Sequence, residues 1–436
     1  MRRTLTLGRH RGVPRIYLQG AWLLDEGWQP GSRVQIDLGA GILTITPATC
    51  GCGDRRSRGC SCRRISSKRG GQVAVLDLEL EALEEALLGA ERLELRSRHG
   101  VLEVTPARSE RLRRARVRNG LEGSLFSGAG LLTQAAQQAG LTPAWAVEVD
   151  EDYAEAYRRN HPSAEVWCCP IHEVDPAELP QVELLTAGIP CSPYSRKRRG
   201  RGQERHPEEH ALGDMTAWTL LAIERVNPWH VVLEEVPEYL ESASWVILRS
   251  VLCRLGYQVD ARVLDSADYG SVAGRRRAVI VATTDDQVTW PEPVRCAHTL
   301  GDLLDAEVPE EAWFDRGSRR WLFDHWDSQR AAGRGFVSSV LTERTARVPA
   351  ITRGYYKGQG DGAVLAHPER EGVYRWLTLS EGRRLHGLPE GYVLDAFGRH
   401  NRSGETLGQG VVVTLFEQLI YSVTRANGPV PVGGFE

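Results

Sequence analysis

Residues 121–150, with the sequence LEGSLFSGAGLLTQAAQQAGLTPAWAVEVD, decide the fold of this chain. The run GSLF leads into a turn with glycine at positions 128 and 130, and a helical pattern, LLTQAAQQAGL, separates it from the run AWAVEVD. A strand, a glycine turn, a helix and a second strand form the basic unit of an alternating α/β chain.

The alternation of strands and helices continues after this stretch. VELLTAGIP, HVVLEEV and RRRAVIVATT indicate further strands, and the helical patterns TAWTLLAIERV and SWVILRSVLCRLG lie between them. The pattern predicts an α/β fold with a doubly wound, mostly parallel sheet over residues 120–284. Residues 285–374 are loop-rich and irregular, which indicates an inserted or smaller domain, and regular patterns return over residues 375–436.

The N-terminal part contains two similar stretches. Each stretch predicts a strand, a glycine turn and a second strand that ends in Thr-Pro-Ala. The two stretches are GSRVQIDLGAGILTITPA (31–48) and GAERLELRSRHGVLEVTPA (89–107). The first copy resembles SymE-like and AbrB-type swapped-hairpin domains, so a small β-rich domain with two copies is expected over residues 1–110. A chance match of two β-hairpins remains the alternative. An arginine-rich linker is predicted over residues 111–119.

Four of the nine cysteines lie in the segment 50–62, between the two similar stretches. Two Cys-x-Cys pairs in an arginine-rich segment predict a tetrahedral site for structural zinc, because nearby cations favour the thiolate form that binds the metal. A loop with free thiols is the alternative. The predicted ligands are Cys50, Cys52, Cys60 and Cys62.

Composition excludes several classes of protein. The chain has 436 residues, of which 41% are hydrophobic, and a net charge of -3. No stretch approaches the roughly 20 apolar residues of a membrane span, so no membrane partner is expected. The N-terminus lacks an apolar signal core, which predicts a cytoplasmic protein. Basic residues, nearly all arginine, cluster at 55–69, 108–118 and 196–205, and arginine suits phosphates and base edges.

Reactive side chains follow the predicted strands. Glu148 ends the second strand, where doubly wound folds bind ribose hydroxyls, and with the glycine turn it indicates an adenosine-containing cofactor. Cys191 follows the strand VELLTAG and is a candidate nucleophile, with a buried structural cysteine as the alternative. Glu234 and Glu235 end the next strand, and one of them is expected to face the site as a general acid or hydrogen-bonding partner.

Two arginines precede the last strand of this region. Arg275 and Arg277 alternate just before the apolar run AVIVA, so both are predicted to lie on the same side of the chain. Such a pair suits a phosphate or an anionic intermediate.

The chain resembles the DNA cytosine-5 methyltransferase family in the order of five motifs, which are LFSGAG, VEVD, GIPCSPYS, LEEV and an Arg-x-Arg before a strand. RWLTLSEGRRLHGLPEGY (375–392) and LGQGVVV (407–413) are similar to later motifs of that family. The resemblance covers roughly residues 118–425 and implies a Rossmann-like, S-adenosylmethionine-dependent core. The irregular stretch 285–374 falls where the family has its target-recognition domain.

The resemblance also implies the chemistry. Cys191 would attack carbon 6 of a cytosine flipped out of double-stranded DNA, and carbon 5 would take the methyl group of S-adenosyl-L-methionine. Glu234 would bind ring nitrogen 3, and Arg275 would support the substrate. The implied cofactor contacts are Phe126, Ser127, Gly128, Ala129, Gly130, Glu148, Val149, Ile171, Pro190 and Val411. The implied DNA contacts are Ser195, Arg196, Lys197, Arg198, Arg199, Arg201 and Arg277.

Several positions depart from the family pattern, among them Ala273 in place of Gln before Arg-x-Arg and Gln409 in place of Asn. Glu235 stands where the family has Asn, Ser192 where it has Gln, and Pro170 where it has an acidic residue near the adenine. RNA as substrate, a modified cofactor, and a catalytically weakened DNA-binding protein therefore remain alternatives. A restriction or defence companion protein and the oligomeric state stay open.

Overall fold

The computed structural model describes residues 2–39, 41–48, 62–98, 100–194, 207–333, 339–360 and 362–425. The chain divides into two compact units, Met1–Ala115 and Arg116–Glu436. Within the described ranges, no helix has the length and apolar character needed to cross a membrane.

The described residues of the N-terminal unit form two antiparallel sheets and three short helices. A six-stranded sheet has the order β1-β9-β10-β5-β4-β6, and a four-stranded sheet has the order β2-β3-β8-β7. The elements are β1 (Arg2–Thr6), β2 (Gly8–His10), β3 (Val13–Gly20), α1 (Ala21–Asp25), β4 (Arg33–Gly39), β5 (Ile42–Pro47), β6 (Arg63–Arg64), β7 (Ser66–Lys68), β8 (Val73–Glu79), α2 (Ala82–Ala86), β9 (Arg92–Arg98), β10 (Val101–Pro106) and α3 (Arg108–Ala115).

The two similar sequence stretches pair with each other in the larger sheet. Each forms a hairpin, β4 with β5 and β9 with β10, and strands β5 and β10 join the hairpins in antiparallel register. Leu102 lies opposite Ile45, and Val104 lies opposite Leu43. All four side chains are fully buried, so alternate residues of both copies form one core. The swapped-hairpin resemblance of this unit stays a prediction.

The second unit begins with a seven-stranded sheet of order β13-β12-β11-β14-β15-β18-β16. The first five strands in this order are parallel, and β18 runs antiparallel between β15 and β16. This confirms the predicted doubly wound α/β fold. The elements are β11 (Leu121–Leu125), α4 (Leu131–Gln138), β12 (Thr142–Val147), α5 (Glu151–Asn160), β13 (Glu165–Trp167), β14 (Leu184–Gly188), α6 (Met215–Val226), β15 (His230–Glu235), α7 (Ala243–Arg254), β16 (Gln258–Asp265), β17 (Ala273–Gly274) and β18 (Arg276–Thr283).

Strand β11 lies so close to a tryptophan side chain of β12 that one position of β11 requires a glycine. A Cβ at Gly123 in β11 would lie 2.3 Å from the ring of Trp145 in β12, so any larger residue would displace this buried indole. The same close packing brings the carboxyl ends of β11, β12, β14 and β15 to one edge of the sheet, where doubly wound folds form their sites.

The rest of the unit returns to this sheet through a less regular region. Its elements are α8 (Arg320–Ala331), β19 (Val340–Leu341), β20 (Val348–Pro349), β21 (Val364–Ala366), β22 (Tyr374–Arg375), α9 (Leu379–Leu385), α10 (His400–Gln409) and α11 (Val413–Thr424). Helix α11 packs against α4, and its residues Leu419 and Ile420 are fully buried. The irregular region has apolar clusters of its own, one around Leu322 and Trp326 and one around Leu341 and Leu365.

The predicted linker 111–119 contains ordered residues. Its first part lies in α3, and Arg116 is buried in the second unit. Arg116 donates to the side chain of Asn227 at 3.0 Å and to the carbonyl of Leu255 at 3.0 Å, and its guanidinium lies 3.7 Å from the ring centroid of Tyr257. These contacts fix the start of the second unit just before β11.

Candidate active site

A cavity of about 590 Å³ lies at the carboxyl edge of the parallel strands. This volume is in the range of small-molecule sites. Its walls come from the glycine turn after β11, the end of β12, the segment after β14, the end of β15 and the segment after α10. Nine of the ten predicted cofactor contacts line it: Phe126, Ser127, Gly128, Ala129, Glu148, Val149, Ile171, Pro190 and Val411.

The tenth predicted contact, Gly130, lies just behind the cavity wall. Its φ of +93° is a left-handed conformation, and a Cβ there would lie 2.6 Å from Nε2 of the buried His161. Gly130 therefore allows the chain to turn into α4 with this histidine packed behind it. Phe126, at the start of the turn, also has a positive φ, of 52°. Such a conformation is uncommon for a residue other than glycine and is typical of ligand-binding turns.

Glu148 fixes the turn from the neighbouring strand. One oxygen of its carboxylate accepts a hydrogen bond from the Gly128 amide at 2.7 Å, and the other accepts one from the Asp150 amide at 2.9 Å. Burial raises the pKa of this carboxyl group. Each oxygen keeps a lone pair for a ligand, because a carboxylate can accept about four hydrogen bonds.

The wall also contains a polar atom without a partner. Oγ of Ser127 is buried and, among the described residues, no hydrogen-bond partner lies within reach. Val149 and Ile171 add apolar surface on the same cavity. A ligand that carries hydroxyl groups and a flat apolar part fits this combination of donors, acceptors and apolar walls.

Cys191 lies on the same cavity, on the segment that follows β14. The chain turns there, with the Tyr194 amide donating to the Cys191 carbonyl at 3.0 Å. Burial and then the Glu234 carboxylate are the main causes that raise the pKa of the Cys191 thiol to about 11. Arg277 and Arg275 oppose this shift. The thiol is therefore mostly protonated at neutral pH before any ligand binds.

Glu234 faces Cys191 across the cavity edge. Strands β14 and β15 pair in parallel with Gly188 opposite Glu234, and both Glu234 and Cys191 line the cavity. The Glu234 carboxylate accepts a hydrogen bond from Nε of Arg277. The Glu234 side chain is 11% exposed and the Arg277 side chain 17% exposed, so this ion pair is largely shielded from solvent but can still be reached by a ligand in the cavity.

The two predicted arginines separate in the structure. Arg275 is buried, and its guanidinium donates to the carbonyls of Ile351, Gly408 and Gln409 at 2.9–3.1 Å. Arg277 lines the cavity beside Glu234. Both arginines act to lower the pKa of the Cys191 thiol, but Arg275 is held by backbone carbonyls and Arg277 by the Glu234 carboxylate.

Several cavity residues were not singled out from the sequence. They come from helices and loops distant in the chain, and no local motif marks them: Tyr153, Cys169, His172, Glu405 and Thr406. Glu405 is the most connected of these, because its buried carboxylate pairs with Lys357 and with Arg353 at 3.3 Å. This links the cavity wall to the irregular region.

Two groups of predicted residues lie wholly or mainly outside the described residues. The arginine-rich segment is one, with Ser195, Arg196, Lys197, Arg198, Arg199 and Arg201. The cysteine group is the other, since Cys50, Cys52 and Cys60 are not described and Cys62 is. Among the described residues, no group of three or more potential metal ligands occurs.

Comparison with known proteins gives a consistent result. The sequence model described as C-5 cytosine-specific DNA methylase matches residues 122–425. The Type II methyltransferase M.NlaX of Neisseria lactamica is 27% identical over 315 residues, which cover 68% of this chain and 94% of that protein. The Type II methyltransferase M.MspI of Moraxella sp is 25% identical over 319 residues, covering 72% of this chain and 73% of that protein.

Solved structures share the fold. The Schizosaccharomyces (S. pombe) Dnmt2 methyltransferase superposes with a TM-score of 0.55 at 19% identity, covering 70% of this chain and 98% of that one. A mutant of Spodoptera frugiperda DNMT2 superposes with a TM-score of 0.56 at 17% identity, covering 69% of this chain and 99% of that one.

Proposed function

We propose, from the premise that this chain belongs to the C-5 cytosine-specific DNA methylase family, that its cavity methylates carbon 5 of a flipped-out cytosine in double-stranded DNA. Family members are S-adenosylmethionine-dependent DNA (cytosine-5-) methyltransferases, and the chain is an enzyme of this class. The individual residue roles below are proposals.

One observation carries the proposal. A thiol, a carboxylate and a guanidinium, from Cys191, Glu234 and Arg277, meet on a cavity whose other end has the glycine turn and Glu148. A nucleophile, a hydrogen-bonding acid and a cation beside a nucleoside-type site are the groups that a cysteine-dependent methyl transfer needs.

The cofactor end fits S-adenosyl-L-methionine. Glu148 has free lone pairs for ribose hydroxyls, Val149 and Ile171 offer apolar contact for a purine, and Ser127 has an unpartnered hydroxyl. When bound, this cofactor supplies an electrophilic methyl group. Pro170 lines the same cavity where the family has an acid, so adenine recognition here would rest more on apolar contact.

The protein residues divide the work on the base. The Cys191 thiol gives up its proton to solvent, and its sulfur forms a bond to carbon 6 as the electrons of the 5,6 double bond move to carbon 5, which then accepts the methyl group. Glu234 reaches ring nitrogen 3 in its protonated form and donates a hydrogen bond there, which neutralises the negative charge that develops on the ring. Water takes the proton from carbon 5, which restores the double bond and expels the Cys191 thiolate. Arg277 holds the Glu234 carboxylate in place and opposes the raised pKa of Cys191.

The substrate test uses methyl transfer itself. With labelled S-adenosylmethionine, we expect label to enter duplex DNA, and bisulfite sequencing of DNA from cells that make the protein should find 5-methylcytosine at one recurrent short sequence. Duplex DNA is favoured because the relatives M.NlaX and M.MspI are Type II methyltransferases. Label in structured RNA but not in any duplex DNA would contradict the proposal.

We also propose that the N-terminal unit adds affinity for DNA. Residues 1–115 hold 20 of the 54 Lys and Arg residues but only 13 of the 57 Asp and Glu residues, so the remaining chain is acidic overall. A cationic unit attached to an acidic catalytic unit can supply attraction to phosphates.

The isolated unit is expected to bind duplex DNA with an affinity that falls steeply as salt rises, because phosphate contacts release counterions. Its own buried core justifies studying it as a fragment of residues 1–115. Binding isotherms between low and physiological salt provide the measurement. Absent or salt-independent binding would count against this role.

Three further predictions belong to this proposal. Zinc at the four cysteines can be checked by metal analysis of the same fragment, with Cys52→Ser/Cys60→Ser as the control. A cytoplasmic location, expected from the N-terminal sequence, can be checked by fractionation of cells that make the protein. A companion restriction enzyme with the same target sequence follows from the Type II relatives, as a proposal about the biological setting.

A further inference from the structure

A second carboxyl group lies directly beside the proposed catalytic one. Glu235 is the last residue of β15 and is fully buried, with 0% exposure. Its Oε2 accepts a hydrogen bond from the Val236 amide at 2.8 Å. Its Oε1 is buried, and no described residue offers it a hydrogen bond.

The surroundings of Glu235 do not compensate a negative charge. The charged groups that act on it are Glu234, Arg277 and Glu238, and the two carboxylates disfavour ionisation. Arg277, the cation of this set, already donates to Glu234 and to the Arg276 carbonyl.

The aromatic residues packed near Glu235 have other partners. The Tyr194 hydroxyl donates to Oγ of Ser244 at 2.9 Å, and the Tyr239 hydroxyl pairs with Oγ1 of Thr216 at 3.0 Å. Glu208 is the other acid near these two tyrosines. Burying an unpaired carboxylate costs several kcal/mol, which a proton on the group avoids.

Glu235 also lies next to the segment that carries Cys191. Gly188 of β14 pairs with Glu234, so the chain that follows Gly188 runs beside the end of β15. A negative charge on either Glu234 or Glu235 would raise the pKa of the Cys191 thiol. Arg277 donates to Glu234 and so offsets the charge of that carboxylate.

We propose that Glu235 is a positioning residue that works as a neutral carboxylic acid at the end of β15, where it adds no second negative charge beside the nucleophile and keeps an Oε1–H donor available to the neighbouring segment that carries Cys191. The proposal rests on the proposed function of Cys191. A protonated carboxyl group has one O–H donor and can still accept hydrogen bonds, so one oxygen of Glu235 can donate while the other accepts. The hydrogen bond from Val236 then holds Oε2, and Oε1 is left for the segment after Pro190.

The sign of the pH dependence follows from the raised pKa of Glu235, which burial causes. The folded protein holds this proton more tightly than the unfolded chain does. Folding stability should therefore fall as pH rises from the ordinary carboxyl pKa of 4.5 towards the folded value. Activity should also fall at alkaline pH, when Glu235 ionises next to Cys191.

Two variants and one control test the proposal. Glu235→Gln keeps a donor of the same shape but cannot ionise, Glu235→Ala removes the donor, and Glu234→Gln removes the paired charge. Alkylation of Cys191 by iodoacetamide, followed by peptide mass spectrometry, reports the thiolate fraction and does not depend on methyl transfer. Cys253, exposed on α7, is the internal reference.

At pH 7.5 we expect Glu235→Gln to change the Cys191 alkylation rate less than about twofold, because no charge is removed from a neutral group. Its melting temperature should exceed that of the wild type by a margin that widens with pH. Its methyl-transfer activity should stay within about fivefold of the wild type at neutral pH and lose the alkaline fall, while Glu235→Ala should lose about tenfold or more with its fold intact.

A rise of about tenfold or more in Cys191 alkylation for Glu235→Gln at pH 7.5 would overturn the proposal, since it would reveal a carboxylate in the wild type. A melting-temperature difference that does not change with pH would do the same. If the wild type transfers no methyl group at all, the proposed function fails, and the alkylation and melting experiments still report on Glu235.

Discussion

Cys191→Ser is expected to abolish methyl transfer, with a loss of about 10⁴-fold or more in kcat. A serine hydroxyl is far less acidic than a thiol and far less nucleophilic. Duplex DNA with 5-fluorocytosine at the target position should trap a covalent adduct with the wild type, because fluorine cannot leave carbon 5 as a proton does. The variant should form no adduct.

The measurement is label transfer at saturating cofactor, together with denaturing electrophoresis of the 5-fluorocytosine reaction. Cys253→Ser is the matched control, because Cys253 is an exposed cysteine on α7 that does not line the cavity. This control should keep full activity and adduct formation. A Cys191→Ser enzyme with more than about one hundredth of the wild-type rate would exclude covalent attack by this thiol.

The parts of the site that the sequence predicted share a physical cause. The glycine turn, Glu148, Cys191 and Glu234 each lie at or shortly after the carboxyl end of a strand, and parallel strands bring these ends to one edge. Strand position is therefore enough to bring these residues together, even when more than one hundred residues of chain separate them. The same reasoning explains why the doubly wound sheet could be predicted from alternating patterns.

Other parts depend on which partners individual side chains contact. The Arg-x-Arg spacing predicted a common side for Arg275 and Arg277 but not their partners, which are backbone carbonyls for Arg275 and the Glu234 carboxylate for Arg277. Glu405 and Thr406 reach the cavity only because α10 packs there, and Lys357 reaches Glu405 from the irregular region. Such contacts depend on tertiary packing. A single sequence does not reveal them, because no periodic pattern marks these positions.

The effect of a departure from the family pattern can be judged only when the burial of the substituted side chain is known. In sequence, Glu235 is one more acidic residue at a strand end. Its full burial and its unpartnered oxygen distinguish it from Glu234, which has a cation partner and faces the cavity. The alternative of a weakened enzyme was based partly on this substitution, and a neutral carboxyl at this position is compatible with catalysis.

Arg277→Gln is expected to reduce kcat by about 10²–10³-fold while leaving the melting temperature close to that of the wild type. The change removes the cation that holds Glu234 and that opposes the raised pKa of the Cys191 thiol. The thiol should then ionise less readily, so its alkylation at pH 7.5 should slow. Steady-state kinetics and the alkylation rate together measure both consequences.

Arg275→Gln is the matched comparison, because it removes the same kind of side chain two residues away. Arg275 donates to three carbonyls, that of Ile351 in the irregular region and those of Gly408 and Gln409 at the end of α10. Leaving these buried carbonyls without donors should cost about 3 kcal/mol or more of folding free energy. Its main effect should therefore be a lower melting temperature, with a loss of activity that follows the loss of folded protein. If instead Arg275→Gln leaves stability unchanged and lowers kcat more than Arg277→Gln does, Arg275 is the arginine that supports the substrate, as the sequence motif alone had indicated.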